Sequence, residues 1–241
     1  MSEVEQPTDK GLQYRLVSPP TFGWIEIQLD EGLLAHLWNA INIAGDKHNA
    51  KSKLIGHIDG SYFIDDIDSI LWNNLLCQCC MVYGDTWGCP FVLPIQKKND
   101  KDFILYLQTM WVNYQSKHDF NPLHNHNGVY SFVIWMNLPT EHDDQAKMPN
   151  VTDTTVSWNS DFAMHYTDSL GRFRAFKYEM GKQWEGKMLF FPSAMNHEVY
   201  PFYECDEQRV TISGNVSLKD ARDMTEAEKS GKPAKYKSQF Q

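Results

Sequence analysis

The stretch RVTISGNVSL, residues 209–218, alternates apolar and polar side chains as a β-strand does. It has an apolar face of Val210, Ile212, Val216 and Leu218 and a polar face of Arg209, Thr211, Ser213, Asn215 and Ser217. A face in open water usually carries long charged side chains, whereas this one carries short hydroxyls, an amide and one guanidinium. That set suits an enclosed pocket that receives a carboxylate. A solvent-exposed strand with an arginine at its rim is the alternative.

Further segments rich in β-branched and aromatic residues precede this strand, beginning at about residue 102. They are DFILYLQTMWVNYQ (102–115), GVYSFVIWMNLP (128–139), GKMLFFPS (186–193) and HEVYPF (197–202). Short strands in this number indicate a sandwich or barrel. Two helical patterns come earlier, residues 30–45 and 65–84, and we expect them to pack on one face of a sheet.

Charge and hydropathy exclude some classes of function. The 241 residues carry a formal charge of −9, which argues against a nucleic-acid binder because such proteins need a basic face. The start, MSEVEQPTDKG, has no apolar core of a signal peptide, and no apolar run is long enough to span a bilayer. We therefore expect a soluble intracellular protein without membrane contact.

The cysteines are odd in number: Cys77, Cys79, Cys80, Cys89 and Cys205. The cluster CQCC does not have the CxxC spacing of a zinc site, and its flanks are typical of a buried helix. Free thiols in a reducing compartment are the interpretation we favour. A zinc knuckle completed by Cys89 is the alternative.

Three histidines stand out as candidate metal ligands. In a strand, residues i and i+2 project from one face, so His124 and His126 can present two ring nitrogens to one ion. A chance pair on a polar turn is the alternative. His197 follows the buried segment 186–193, and taken alone it is better explained as a packed histidine in a turn.

Three segments taken together resemble a known family. In chain order they are HNHNGVYSFVIW, GKMLFFPSAMNHEVYPF and RVTISGN, with the arginine twelve residues after the late histidine. They resemble the Fe(II)/2-oxoglutarate-dependent dioxygenase superfamily and, more closely, the 2-oxoglutarate-Fe(II) oxygenases common in bacteria and tailed phages. The segment KSKLIGHIDGSYFIDD is also similar, so the resemblance covers about residues 51–218.

The resemblance implies a fold and a site. The fold would be mainly β with flanking helices, a double-stranded β-helix, which is a jelly-roll or cupin-like barrel. The implied iron ligands are His124, His126 and His197. The implied co-substrate contacts are Arg209 to the far carboxylate, Thr211 or Ser213 beside it, and Asn113 and Tyr130 on neighbouring strands. Trp111 lies on a strand that would line the same pocket. One departure is that His126 stands where the family usually has an aspartate or glutamate.

The resemblance also implies an activity. With Fe(II), O₂ and 2-oxoglutarate as a small-molecule co-substrate, the protein would hydroxylate a protein side chain or a metabolite and release succinate and CO₂. Two alternatives stay open. One is a non-catalytic β-barrel of the same descent, such as a phage structural or binding protein. The other is a three-histidine cupin-like metalloprotein that does not use 2-oxoglutarate and so does not need Arg209.

The chain is predicted to have three parts. Residues 1–100 would form an N-terminal strand and buttressing helices of the same domain, residues 101–218 the catalytic barrel, and residues 219–241 a surface helix and flexible tail. Residues 140–184 have the least regular pattern and are predicted to form a lid or substrate loop. The expected location is the cytoplasm, or the host cytoplasm if a phage encodes the protein.

Overall fold

A computed structural model describes residues 21–45, 50, 57–88 and 103–220 of the chain. Cys89 and the tail from residue 221 onward lie outside these ranges, so the predictions made for them stay predictions, as does the division into three parts. None of the helices in these ranges is long and apolar enough to cross a membrane.

Ten strands and three α-helices make up the described chain. The strands are β1 (Ile25–Gln28), β2 (Gly60–Phe63), β3 (Phe103–Gln115), β4 (Asn121–His124), β5 (Tyr130–Asn137), β6 (Phe162–Thr167), β7 (Phe173–Tyr178), β8 (Lys187–Pro192), β9 (Asn196–Val199) and β10 (Arg209–Asp220). The helices are α1 (Glu31–Ala44), α2 (Cys77–Trp87) and the single turn α3 (His142–Gln145). A π-helical turn, Trp72–Leu76, leads directly into α2.

The strands form two antiparallel sheets. The large sheet has the order β1-β8-β5-β10-β3-β2 and the small sheet the order β4-β9-β6-β7. From β3 onward the chain crosses repeatedly from one sheet to the other, with the β6–β7 hairpin making up one edge of the small sheet. This is the topology of a jelly roll. The prediction of a mainly β double-stranded β-helix is confirmed.

Helix α1 lies where the sequence predicted it, whereas α2 begins later in the second predicted pattern and runs past its predicted end at Gly84. Helix α1 begins after Asp30, whose side chain accepts a hydrogen bond from the backbone of Leu33 at 2.8 Å, and ends at Gly45 with φ of 49°. Both helices bury their apolar side chains against one face of the large sheet, where Leu37 of α1 and Tyr83 of α2 are fully buried. That packing leaves the opposite face of the sheet for the space between the two sheets.

Strand β10 is the centre of the large sheet, since it pairs with β3 on one side and with β5 on the other. Its apolar side chains Val210, Ile212 and Val216 are buried on the helix side. Its first polar side chains, Arg209, Thr211 and Ser213, line a cavity between the sheets. The alternation expected from the sequence therefore separates a packed face from a cavity face.

The prediction of a long irregular loop at residues 140–184 is wrong for much of that range. Residues 162–167 and 173–178 form β6 and β7, which are half of the small sheet. Strand β7 is an edge strand whose first four residues are all exposed. Because neither face of its first part is buried, it lacks the alternation by which a half-buried strand is recognised.

Candidate metal centre and co-substrate pocket

Three histidines come together at one end of the space between the sheets. His124, the last residue of β4, is the direct cross-strand partner of His197 in β9. His126 lies beyond the end of β4, where its backbone N–H donates to the carbonyl oxygen of Ser193 at 2.8 Å. One ring nitrogen from each histidine lies within 4.8 Å of the others. The two early histidines thus converge through the turn after β4 rather than through one strand face.

Hydrogen bonds decide which ring nitrogen carries the hydrogen; the other ring nitrogen of His124, Nε2, lies 3.1 Å from the amide nitrogen of Asn121. The Nδ1 atom of His124 lies 2.7 Å from the carbonyl oxygen of Pro122, and Nδ1 of His197 lies 3.1 Å from that of Met195. A carbonyl oxygen only accepts, so each Nδ1 carries the hydrogen and each Nε2 keeps its lone pair. An Nε2 lone pair held in this way is the usual ligand of a divalent metal.

The protonation state of the cluster also suits a metal. Burial lowers the pKa of His124, lowers the pKa of His126 to about 4, and holds the pKa of His197 well below its usual value. All three imidazoles are therefore neutral at physiological pH. Neutral imidazole is the form that ligates metal, so no proton has to leave before an ion binds.

Arg209 is a buried cation with an incomplete set of partners. Its side chain is 1% exposed, and its Nη2 donates to the backbone oxygen and to the hydroxyl of Ser160, both at 2.6 Å. Its Nη1 makes one long contact, 3.5 Å, with Oε1 of Gln115. Its Nε has no hydrogen-bond partner in the described part of the chain. Burial lowers the pKa of Arg209 to about 10, so the guanidinium stays charged at neutral pH.

A short polar chain runs beside Arg209. The hydroxyl of Ser61 donates to Asn113 at 2.9 Å, and the amide of Asn113 donates to the hydroxyl of Thr211 at 3.5 Å. Asn113 and Thr211 both line the cavity. The interaction of Thr211 is long, so its hydroxyl is free to bind a ligand beside the guanidinium.

A cavity of about 40 Å³ joins the histidines to Arg209. Its polar lining consists of Trp111, Asn113, Gln115, Asn121, His124, His126, His197, Arg209, Thr211 and Ser213. Within the described residues this lining contains no aspartate or glutamate, so it offers a cation and hydrogen-bond donors and no acid. The volume holds about three water molecules, and a larger ligand requires the lining side chains to shift.

Three buried polar atoms in this lining lack partners among the described residues: Nε1 of Trp111, Oδ1 of Asn121 and Nε of Arg209. Each such atom costs about 1–3 kcal/mol when left unsatisfied. Native structures rarely tolerate several together, and a bound ligand or ion is a common reason for them. The residues present therefore fit a metal at the histidines and an anion at the arginine.

The two acids nearest in sequence to the histidines take no part in the cluster. The carboxylate of Asp119 accepts hydrogen bonds from the backbone of Asp59 and of Ser116, both at 2.9 Å. The carboxylate of Glu198 binds His165 at 2.8 Å and also accepts from the hydroxyl of Tyr200. Within the described ranges the candidate metal cluster consists of His124, His126 and His197.

The structure places Tyr130, which was predicted as a co-substrate contact, outside the lining of the cavity. Its ring lies 5.1 Å from the ring of Tyr83 and 4.9 Å from that of Phe190, between the large sheet and helix α2. The same strand lines the cavity with Phe132, Val133 and Trp135. Tyr130 itself packs in the apolar cluster between the large sheet and the helices.

Sequence reasoning missed three residues of the site. Gln115 shares a strand face with Trp111 and Asn113, so its position two residues further along β3 was a usable signal. Asn121 lies three residues before His124 with its amide Nδ2 3.1 Å from His124 Nε2. Ser160 reaches Arg209 from a loop in which it has a φ of 68°, and nothing in the local sequence predicts that contact.

Comparisons with known proteins agree with this arrangement. Residues 109–215, a little under half of the chain, match the family model described as "Putative 2OG-Fe(II) oxygenase", where 2OG is 2-oxoglutarate. The match runs from the middle of β3 to the middle of β10 and so contains the three histidines, Arg209 and the strands that hold them. A search of curated proteins finds no significant match.

Solved structures give weaker similarities. A prolyl-4-hydroxylase of Pseudomonas putida is 14% identical with a TM-score of 0.45, the alignment covering 80% of this chain and 91% of that one. A 2OG-Fe(II) oxygenase family oxidoreductase of Burkholderia pseudomallei is 14% identical with a TM-score of 0.47, covering 81% and 84%. Values this low say nothing of substrate, and the fold rests on the strand topology described above.

The family match and the geometry lead to the same conclusion. The family uses Fe(II), 2-oxoglutarate and O₂, and the chain contains a three-histidine cluster of the kind that could hold the metal. The resemblance stated from the sequence motifs is therefore confirmed. Over residues 109–215, the double-stranded β-helix of this chain is similar to the 2OG-Fe(II) oxygenase family.

Proposed function

We propose that this oxygenase hydroxylates a protein side chain or a metabolite, converting 2-oxoglutarate to succinate and CO₂, with His124, His126 and His197 as iron ligands and Arg209 as the anchor of 2-oxoglutarate. The observation that carries the proposal is the buried guanidinium of Arg209, whose Nε lacks a partner among the described residues and faces the same cavity as the three histidines. Metal ligands and an unsatisfied cation in one cavity suit a ligand that is both chelating and anionic.

The electrostatics of Arg209 support an anionic ligand. A buried charge is costly unless it is paired, and the hydrogen-bond acceptors around this guanidinium are a carbonyl, a hydroxyl and an amide. The acid that acts on it, Asp161, is itself bound to His142 at 2.9 Å and to Lys177 at 3.4 Å. A carboxylate from the co-substrate would supply the missing pairing.

The way Arg209 is held determines the expected mode of binding. Ser160 provides two acceptors for Nη2 of Arg209. The donors left free are Nε and one hydrogen of Nη1, and the hydroxyls of Thr211 and Ser213 lie in the same lining. A carboxylate would therefore receive a charge-assisted bond from Nε or Nη1 and further bonds from the hydroxyls.

The chain's own residues have distinct tasks in this reaction. The histidines hold the metal as neutral ligands, and the polar lining of β3 and β10 orients the co-substrate. Phe132, Phe162 and Phe191 form apolar walls of the cavity, and they would keep water away from the reacting atoms. When bound, Fe(II) with 2-oxoglutarate supplies the activation of O₂ for oxidation of a C–H bond. Because the cavity is small, co-substrate binding would include side-chain rearrangement.

His126 would take the place that a carboxylate has in the usual site. Three neutral imidazoles leave the full charge of a divalent metal, whereas two histidines and a carboxylate remove one unit of it. A dianionic co-substrate would neutralise that remaining charge. A three-histidine metalloprotein without 2-oxoglutarate would have no use for a buried, partly unpaired arginine facing the metal.

Anaerobic spectroscopy tests the proposal. Fe(II) and 2-oxoglutarate added together should produce a weak visible charge-transfer band, and O₂ should then yield succinate. The band should disappear in His197→Ala and in Arg209→Ala. His165→Ala is the matched control, because His165 binds Glu198 outside the cluster. Absence of both the band and succinate in the unaltered protein would refute the proposed function.

A further inference from the structure

Trp111 is an unsatisfied hydrogen-bond donor at the metal end of the cavity. Its side chain is 6% exposed, and its indole Nε1 is buried without a partner among the described residues. The ring lines the cavity and lies 5.8 Å from the ring of His126 in an edge-on arrangement. An indole N–H can only donate, so the atom that satisfies it must be an acceptor.

Strand register places Trp111 and Arg209 at the two ends of one polar stripe. Three cross-strand pairs of β3 and β10 follow one another on the cavity face: Gln115 with Arg209, Asn113 with Thr211, and Trp111 with Ser213. Residues two apart on a strand are about 7 Å apart, so the backbone of the stripe is about 13 Å long. Its side chains converge on a single cavity.

Each end of the stripe has a buried N–H group without an acceptor among the described residues. At one end Nε of Arg209 lacks an acceptor, and at the other Nε1 of Trp111 lacks one, beside the histidines. A ligand that satisfies both must carry an acceptor group at each end and a short chain between them. An elongated dicarboxylate has that form. One carboxylate would face Arg209 and the other would face Trp111 and the histidine cluster.

We propose that the indole N–H of Trp111 binds the carboxylate of the co-substrate that lies next to the metal. Trp111 is then a binding and specificity residue for 2-oxo acids. A carboxylate has two oxygens, so one can accept from Trp111 while the other faces the histidines. Arg209 recognises the far carboxylate, and the two donors together select a ligand by its length and by both of its ends. This inference rests on the proposed function.

Binding measurements with two ligands separate the two ends. The protein is loaded with Zn(II), which prevents turnover, and dissociation constants are measured by calorimetry for 2-oxoglutarate and for 2-oxopentanoate. The second ligand has the same number of carbons and the same near end but no far carboxylate. Trp111→Phe should weaken both ligands by the same factor, about tenfold, because a hydrogen bond to a charged group is lost in each complex.

The arginine variant should behave differently. Arg209→Met should weaken 2-oxoglutarate to the level of 2-oxopentanoate and leave 2-oxopentanoate nearly unchanged. The assignment of Trp111 is supported if Trp111→Phe weakens binding of both ligands equally and Arg209→Met weakens binding of 2-oxoglutarate alone. Retention of wild-type affinity for both ligands in Trp111→Phe would overturn it. So would a loss confined to 2-oxoglutarate, since that would assign Trp111 to the far carboxylate.

Two controls keep the result interpretable. Trp72→Phe removes another buried indole, 5% exposed and on the helix side of the large sheet, and should leave both dissociation constants unchanged. If Trp111→Phe disturbs packing, replacing Trp111 with β-(3-benzothienyl)alanine preserves the bicyclic ring and substitutes sulfur for the N–H. The proposed function fails separately, if the unaltered Zn(II) protein does not prefer 2-oxoglutarate to 2-oxopentanoate.

Discussion

The two faces of the large sheet differ in how completely their side chains are satisfied. On the helix side the rings of Tyr83, Tyr130 and Phe190 contact one another in a continuous apolar cluster. On the cavity side the same strands carry Trp111 and Arg209 with buried N–H groups that lack partners in the described chain. One face of the sheet therefore contributes folding energy, and the other holds polar groups ready for a ligand.

The largest effect on binding is expected when a candidate metal ligand on the cavity side is removed. His197→Ala removes one of three converging ligands, so metal affinity should fall by more than the roughly 10–100-fold that loss of an outer-shell partner costs. Titration with Co(II), followed by its visible spectrum, measures the change. Unaltered affinity would mean that the cluster binds metal without His197. His165→Ala, a histidine of β6 outside the cluster, should behave as the unaltered protein does.

The second-largest effect is expected on the affinity for 2-oxoglutarate. Arg209→Met should raise the dissociation constant of 2-oxoglutarate about 100-fold, in line with the 2–5 kcal/mol lost when one partner of a buried charge pair is truncated. Metal affinity should stay the same, because Arg209 does not belong to the histidine cluster. Calorimetry on the metal-loaded protein measures both quantities. Arg174→Met changes an exposed arginine and serves as the control; an equal loss there would indicate a general charge effect.

A substitution on the helix side should lower the stability of the fold and leave the ligand affinities unchanged. Tyr130→Leu removes a ring that is 1% exposed and packed against Tyr83 and Phe190, so the free energy of unfolding should fall by about 1–3 kcal/mol. The affinities of the folded protein for metal and 2-oxoglutarate should not change. Urea unfolding and ligand titration report the two effects independently. A selective loss of 2-oxoglutarate binding would restore the co-substrate role that the structure argues against.

The smallest effect on 2-oxoglutarate binding is expected at Ser160, which contacts Arg209 on the cavity side. Ser160→Ala removes one of the two acceptors on Nη2 of Arg209 and keeps the backbone carbonyl, so 2-oxoglutarate should bind about two- to tenfold more weakly. Ser160→Gly, which suits the φ of 68° and also lacks the hydroxyl, should weaken binding to a similar extent. Ser157→Ala is the control in the same loop. If Ser160→Ala binds as tightly as the unaltered protein, the carbonyl alone positions the guanidinium.

The parts of the fold that follow from local pattern were predictable. The alternation in residues 209–218 predicts β10 and its two faces, and the helical pattern of residues 30–45 predicts α1. The exposed edge strand β7 has no buried face and gives no comparable signal. The motifs also indicated the histidine cluster and Arg209, whereas the contact of Ser160 with Arg209 joins positions 49 residues apart and depends on the closed barrel.

The pairing of β10 has a consequence for how the molecule opens. This strand has a hydrogen-bonded neighbour on each side, while the histidines belong to or follow the four-residue strands β4 and β9 of the other sheet. Amide hydrogens of β10 should therefore be among the last to exchange with deuterium, and those of β4 and β9 should exchange sooner. A dicarboxylate held by Arg209 and by a metal on the histidines would tie the short strands to the long one. Its binding should slow exchange most in the small sheet, far beyond the few atoms it touches.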